Sequence, residues 1–206
     1  MGLLRRIVLV RHGETVGESS TRFHGSSDVE LSDEGRAQMR RVAGRLGEEP
    51  FDLVMASPLR RSWRGATLAG RGAPVRLESD LREIHFGRWE GLTKEEIRAR
   101  DPVLYEDWQS DAEGFEFPGG ERRSDFHARV RAAAGRLLEA PARSALVVAH
   151  KGVIRVLAAE LAGEKLEGGE PALGEVIELT RKPDGTWFRG RRSSNPAGVE
   201  SGVFAS

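Results

Sequence analysis

Three short apolar runs in this chain each stop on a group of polar residues able to bind an anion. Ile7–Val10 is followed by Arg11 and His12, the run ending at Ala56 by Ser57 to Arg61, and Ala145–Ala149 by His150. Runs this short and this rich in Val, Ile, Leu and Ala read as buried strands, and the longer amphipathic stretches between them read as helices that cover a sheet. In an open α/β sheet, ligands bind in the crevice beyond the carboxyl ends of the strands, so the three polar groups are expected to meet at one edge.

Further strands are expected at Asp52–Ala56, Val75–Leu77, Val176–Thr180 and Trp187–Arg191, with Pro183-Asp184-Gly185 as a hairpin turn between the last two. Ser32 caps a helix with Asp33 and Glu34 in its first turn and Met39, Val42 and Leu46 on its apolar stripe. Arg60–Ala69 forms a second helix, and Thr93 with Glu96 makes a capping box for a third that carries Ile97. From Asp101 to Gly120 the chain is acidic and aromatic, broken by Pro102, Pro118 and Gly119–Gly120, and reads as a lid-like excursion over the sheet edge. A helix at about Asp125–Leu138 carries Val130, Ala134, Leu137 and Leu138, and another spans Lys151–Leu161. Residues 1–192 read as one catalytic domain and 193–206, poor in apolar residues, as a loosely ordered tail.

Composition removes several function classes. With 32 Lys+Arg against 32 Asp+Glu the formal charge is zero, which argues against a broad footprint for nucleic acid or anionic lipid, so any anion site is local. No cysteine is present, so there is no disulfide framework, thiolate nucleophile or Cys-based metal site. No segment approaches the roughly 18 apolar residues of a membrane span. The short stretch Ile7–Val10 lacks the small residues of a signal-peptide cleavage site, and a cytoplasmic protein is expected. A homodimer is compatible with the chain.

Arginine offers a planar fork for phosphate oxygens, and histidine serves as a nucleophile or a charged donor, so Arg11, His12, Arg61 and His150 together suit a phosphoryl group. A lone strand-end histidine is usually a structural hydrogen bonder and a lone arginine a surface charge. Repetition at one topological level is what makes a site of them. A metal is the competing use of two histidines, but Arg11 beside His12 would repel a divalent cation and no H-E-x-x-H occurs, so neither metal nor cofactor is expected.

The stretch Leu9-Val10-Arg11-His12-Gly13-Glu14-Thr15 resembles the R-H-G signature of the histidine phosphatase superfamily, the phosphoglycerate mutase-like proteins. Four further blocks resemble that family's pattern in order: Arg22-Phe23-His24-Gly25 with Asp28 and Leu31-Ser32; Ser57-Pro58-Leu59-Arg60-Arg61; Leu81 to Gly91, including Glu83 and Phe86-Gly87-Arg88-Trp89-Glu90; and Ala149-His150. Pro118-Gly119-Gly120-Glu121 fits as well. The resemblance is nearest to the small bacterial phosphatase members. It implies an α/β, phosphoglycerate mutase-like three-layer fold with a mostly parallel central sheet and helices on both faces.

It also implies a metal-independent phosphomonoesterase acting on a small phosphorylated metabolite. His12 would attack phosphorus, Arg11, Arg61 and His150 would bind the phosphoryl oxygens, and Glu83 would serve as the proton donor. Burial among Ile84, Phe86 and Trp89 would keep Glu83 protonated, while the cationic pocket would draw its proton off. His24 and Gly25 fall where the family approaches the phosphate, with a plain loop role as the alternative.

His85 and His127 are assigned to structure, and Arg189, Arg191 and Arg192 to an exposed strand end. Trp63, Trp89 and Trp108 are candidates for a substrate pocket or for the core. Some residues depart from the family's pattern: Glu18 stands where Asn is frequent, Gly65 where Thr is, and Arg122 where Ser is. Lys151 replaces the usual Gly, and could join the phosphate contacts, crowd them or point to solvent. A cofactor-dependent phosphoglycerate mutase is the second reading, and a phosphoester-binding module with weak catalysis the third.

Overall fold

The computed structural model describes residues 4–17, 21–110, 114–166 and 170–190. Strands β1 (Arg6–Arg11), β2 (Leu53–Ala56), β3 (Val75–Leu77), β4 (Ser144–Ala149), β5 (Val176–Arg181) and β6 (Trp187–Arg189) form one sheet in the order β3-β2-β4-β1-β5-β6. The neighbouring pairs among β3, β2, β4 and β1 are parallel, and β5 runs antiparallel to both β1 and β6. Arg11 is level with Ala149 and Ala56 with Val148, so the chain leaves the three central strands at one edge.

Alternation along the strands divides the core into two layers. Ile7, Leu9 and Val147 pack with Phe126, Val130 and Leu137 of α5 (Arg123–Leu138) and with Ile154 and Leu157 of α6 (Lys151–Ala162). Val8, Val10 and Val148 pack on the other face with Met39 and Val42 of α1 (Asp33–Arg45) and Ala66 of α2 (Arg60–Ala69). Burying one such Val or Leu side chain is worth about 1.5–3 kcal/mol. The sheet is thus mostly parallel and covered on both faces, the architecture of the phosphoglycerate mutase-like fold.

Local signals set the helix starts. Ser32 Oγ accepts the Gly35 N–H at 3.0 Å and donates to Glu14 Oε2 at 2.6 Å, which ties the head of α1 to the loop after β1. Thr93 and Glu96 close both halves of a capping box on α3 (Lys94–Arg100), whose Ile97 is fully buried. The Pro183–Gly185 turn joins β5 and β6 as expected, with Gly185 at φ +91°.

Three expectations require correction. Pro102 does not break the chain; it occupies the first position of α4 (Pro102–Gln109), where its missing N–H costs nothing. The excursion it opens is tied to the core, where Phe115 and Phe117 are buried and stack edge-to-face with each other at 5.1 Å, and Phe117 does the same with Trp89 at 5.7 Å. Asp52 precedes β2 and spends its carboxylate on the N–H groups of Arg143 and Ser144. Arg189 is not an exposed strand end, since it is mostly buried and paired with Glu164, Glu170 and Glu175. Arg191, Arg192 and the tail 193–206 lie outside the described residues.

Two backbones cross closely where α1 meets the loop after β1. A Cβ on Gly35 would run into the Glu14 carbonyl, and one on Gly13 into the Gly35 backbone, so both positions exclude a side chain. Gly44, exposed in the same helix, has open space around it. Gly35→Ala is expected to destabilise the fold by about 1–3 kcal/mol. Gly44→Ala is expected to stabilise it by about 0.5–1 kcal/mol through helix propensity. Urea unfolding measures both, and equal effects from the two would remove the close crossing as the cause.

Candidate active site

The loops that follow β1, β2 and β4 bring Arg11, His12, Ser57, Arg61 and His150 to one edge of the sheet, and the segment after β3 delivers Glu83 to the same place. His12 is 5% exposed, Arg61 1%, His150 0% and Glu83 9%. Four ionisable groups are therefore withdrawn from bulk water, which requires a compensating environment for each.

For the two histidines that environment keeps the rings neutral. His12 Nδ1 lies 2.7 Å from the carbonyl oxygen of Gly13, an acceptor only, so Nδ1 donates its proton there and Nε2 keeps its lone pair. Burial, reinforced by Arg61 and then Arg11 and opposed by the Gly13 carbonyl, holds His12 well below the ordinary imidazole range. Burial with Arg61, His12 and Arg11 nearby does the same to His150. The two rings meet edge to face with centroids 5.1 Å apart.

The arginines are held without a carboxylate. Arg61 Nη1 donates to the Ser27 carbonyl at 2.6 Å, and Nη2 to the carbonyls of His24 and Gly25 at 2.8 and 2.7 Å. Burial, outweighing the attraction of Glu83, Glu90 and Asp28, brings its guanidinium down to about 10, so it stays charged at neutral pH. Arg11 donates from Nη1 to the Pro171 carbonyl at 2.9 Å, and burial lowers it too, against the pull of Glu83. The Nε atoms of both are buried with no hydrogen-bond partner among the described residues.

Glu83 sits at the head of α6. Its Oε2 accepts the Gly152 N–H at 3.1 Å and its Oε1 the Ile84 N–H at 3.1 Å. A Cβ on residue 152 would stand 2.6 Å from Oε1, so only glycine leaves room for the carboxylate. Lys151, in the first turn of α6, is half-buried and does not point freely to solvent. Burial lowers it, with Arg11, Arg155 and Lys94 adding to the effect and Glu83 opposing.

His24 and Gly25 are present at the edge, yet their backbone carbonyls serve Arg61, while His24 Nε2 donates to the Gly17 carbonyl at 2.7 Å. Gly25 leaves no space for a Cβ beside the Ile84 carbonyl. His85 takes a structural role by accepting the Gly87 N–H on Nδ1. Trp89 is buried in the core, and its Nε1–H donates to Asp101. Trp63 and Trp108 pack at the margins of the two core layers. Glu18 lies outside the described residues.

Two residues that position this site have no role assigned from the sequence, although Glu90 lies within the Leu81–Gly91 block. The Glu90 carboxylate accepts the N–H groups of Gly25, Ser26, Ser27 and Phe86 and the hydroxyls of Ser26 and Ser27, fixing the loop whose carbonyls hold Arg61. Its partial burial works against ionisation, but the Ser27 hydroxyl and the N–H groups of Ser26, Phe86 and Ser27 hold it below the usual carboxylate range. Arg129 of α5 donates to the carbonyls of Asp80, Arg82 and Glu83 and pairs with Glu121, fastening the segment that carries Glu83. Arg122 takes no capping role at the head of α5 and pairs with Glu116 instead.

Known proteins resemble this chain in sequence and fold. The pattern of the histidine phosphatase superfamily (branch 1) matches residues 7–192. Glucosyl-3-phosphoglycerate phosphatase of Mycobacterium tuberculosis is 38% identical over 168 residues, spanning 76% of this chain and 75% of that protein. The mycobacterial glucosyl-3-phosphoglycerate phosphatase in complex with VO3 superposes with a TM-score of 0.77 at 33% identity, covering 90% of this chain and 97% of that one. The alpha-ribazole phosphatase of Shigella flexneri gives a TM-score of 0.77 at 27% identity over 90% of this chain and 94% of the other. By sequence, fold and the residues gathered at its strand ends, the chain belongs to the histidine phosphatase superfamily, branch 1.

Proposed function

We propose that this phosphoric monoester hydrolase works through a phosphohistidine on His12, without a metal, on a small phosphorylated metabolite. The observation that carries the reading is a neutral histidine with an Nε2 lone pair unused among the described residues, set among two guanidiniums whose hydrogen-bond partners among those residues are carbonyls. A lone pair is what a nucleophile needs, and cations not already neutralised are what a phosphoryl group needs.

His12 Nε2 attacks phosphorus and the ester P–O bond breaks. Glu83, acting as the general acid, hands a proton to the departing alkoxide. Water then loses a proton to the Glu83 carboxylate as it attacks the phosphohistidine, the P–N bond breaks, and inorganic phosphate leaves. Arg11, Arg61 and His150 stabilise the charge that spreads over the non-bridging oxygens, the largest contribution a fixed site makes to such a step. Lys151 adds positive charge at the same edge. His24 and Gly25 act from behind, through the carbonyls that aim Arg61. The phosphatase names of the relatives support hydrolysis over the mutase reading, and the acidic composition of Asp101–Glu116 is poorly suited to a second anionic group. Among the described residues no helix is long and apolar enough to cross a membrane. A cysteine-free chain is at home in the cytoplasm, where this reading places it.

With chelator present, wild-type protein is expected to release phosphate from p-nitrophenyl phosphate and to trap a phosphoenzyme on rapid quench. His12→Ala is expected to lose on the order of 10³-fold or more in kcat, and equal rates in the two proteins would end the proposal. Glu83→Gln keeps the hydrogen-bonding shape but cannot cycle a proton, so kcat is expected to fall by about 10²–10⁴-fold with KM little changed. A shift confined to KM would remove Glu83 from acid–base work.

The neutral histidines also set a pH dependence of stability. His12 and His150 titrate near 6.5 when unfolded and lower when folded, so below that pH the unfolded chain binds more protons. Their contribution is fully present above about pH 6.5 and declines as the pH falls through that value. The urea midpoint is expected to drop between pH 7.5 and 5.5, above the carboxylate range, and to drop less in His150→Asn. A midpoint that rose on acidification would contradict the neutral assignment.

A further inference from the structure

The hydrogen-bond accounting around His150 identifies a partner that decides how this ring meets the phosphoryl group. His150 Nε2 lies 2.8 Å from Ser57 Oγ, and both residues are fully buried. Ser57 Oγ also accepts the Leu59 N–H at 3.3 Å. A hydroxyl carries one proton to give and two lone pairs to fill. Among the described residues, the His150 nitrogen is the acceptor within reach of the Ser57 proton.

Two arrangements of protons are conceivable. If Nε2 carried the hydrogen, Ser57 Oγ would accept from two N–H groups and its own proton would be stranded in the core, a cost of about 1–3 kcal/mol. If Ser57 donates to Nε2, the serine proton is used, and the proton left without a partner among the described residues is the ring hydrogen, which faces where a ligand oxygen can take it. The neutral ring then carries its hydrogen on Nδ1, and that Nδ1 is buried with no hydrogen-bond partner among the described residues. Arg61 and Arg11 are the cations that act on this ring, and an anionic phosphoryl oxygen is the acceptor that their charge favours.

We propose that Ser57 is a positioning residue that fixes the Nδ1–H tautomer of His150, so that His150 donates a hydrogen bond to a non-bridging phosphoryl oxygen as a neutral imidazole. The inference rests on the phosphatase reading for the identity of the acceptor, but not for the tautomer itself. It gives the two histidines one tautomer and opposite roles. His12 spends its Nδ1–H on Gly13 and presents a lone pair, whereas His150 spends its Nε2 lone pair on Ser57 and presents a proton. The neutral ring lowers the total positive charge that must be buried beside two arginines, and it leaves the nucleophile free of a competing imidazolium.

The test is ring ¹⁵N–¹H correlation spectroscopy on the full chain labelled at its five histidines, with the His150 signals identified from His150→Gln. At pH 7 and without ligand, His150 is expected to show the Nδ1–H pattern of a neutral ring, and its Nδ1 proton to shift downfield on addition of inorganic phosphate. Ser57→Ala is expected to lose that single tautomer and to lower kcat by about 10- to 100-fold, as for other groups that orient an imidazole from behind. Ser57→Thr, which keeps the hydroxyl, is expected to recover the wild-type pattern. An Nε2–H or doubly protonated ring in wild-type protein overturns the proposal, as does an Nδ1 proton that ignores phosphate. Because the wild-type spectrum needs no turnover, the expected spectrum in a protein without hydrolysis would overturn the phosphatase reading and leave the tautomer assignment standing.

Discussion

Burying the Arg61 guanidinium removes hydration worth roughly several kcal/mol, and the chain offsets that loss with carbonyl dipoles instead of a hydrogen-bonded carboxylate. Three carbonyls from the 24–27 loop hold the fork. That loop would not present them unaided, because its own N–H groups need acceptors, and Glu90 supplies these with one carboxylate reached from the far side. Part of the negative charge that acts on Arg61, that of Glu90, is thereby kept one layer back, beside the larger contribution of Glu83. It steadies the cation without neutralising the face turned toward the strand ends. Arg11, supported by the Pro171 carbonyl, follows the same plan.

What the sequence reveals of this molecule is what depends on neighbours along the chain. The apolar strand cores, the Ser32 cap, the Thr93–Glu96 box and the Pro183–Gly185 turn are local, and each was readable. Pro102 was misjudged because proline is equally at home at a chain break and at the first position of a helix, and only the following turn distinguishes the two. Arg11, His12, Arg61 and His150 could be brought together from sequence because each follows or closes a strand. Glu90 and Arg129 could not. Their roles exist only once residues 46–65 positions away arrive beside them, and nothing in the composition of either neighbourhood marks a carboxylate that will receive six donors or an arginine that will tie down three carbonyls.

The same layering separates the parts of the site that can vary from those that cannot. Gly13, Gly25, Gly35 and Gly152 lie where two backbones, or a backbone and a carboxylate, approach too closely for any side chain. Residues 102–117, by contrast, join the core through aromatic edges of Trp108, Phe115 and Phe117 and meet the rest in part through surface ion pairs such as Arg122–Glu116. Exposed pairs of this kind contribute little to stability, typically under about 1 kcal/mol. Changes in the excursion can therefore alter what approaches the phosphoryl edge while the machinery beneath it stays fixed.

The strand order has a further consequence in time. β1, which ends on Arg11 and leads directly into His12, is flanked by β4 and β5, so its two hydrogen-bonding partners are the stretches 144–149 and 176–181. Neither exists while the first two-thirds of the chain is being synthesised. The strand β1, apolar on both faces, must wait unpaired until β4 has emerged, and closing a loop of that length makes the centre of the sheet a late event in folding. No fragment ending before β4 can assemble the pocket.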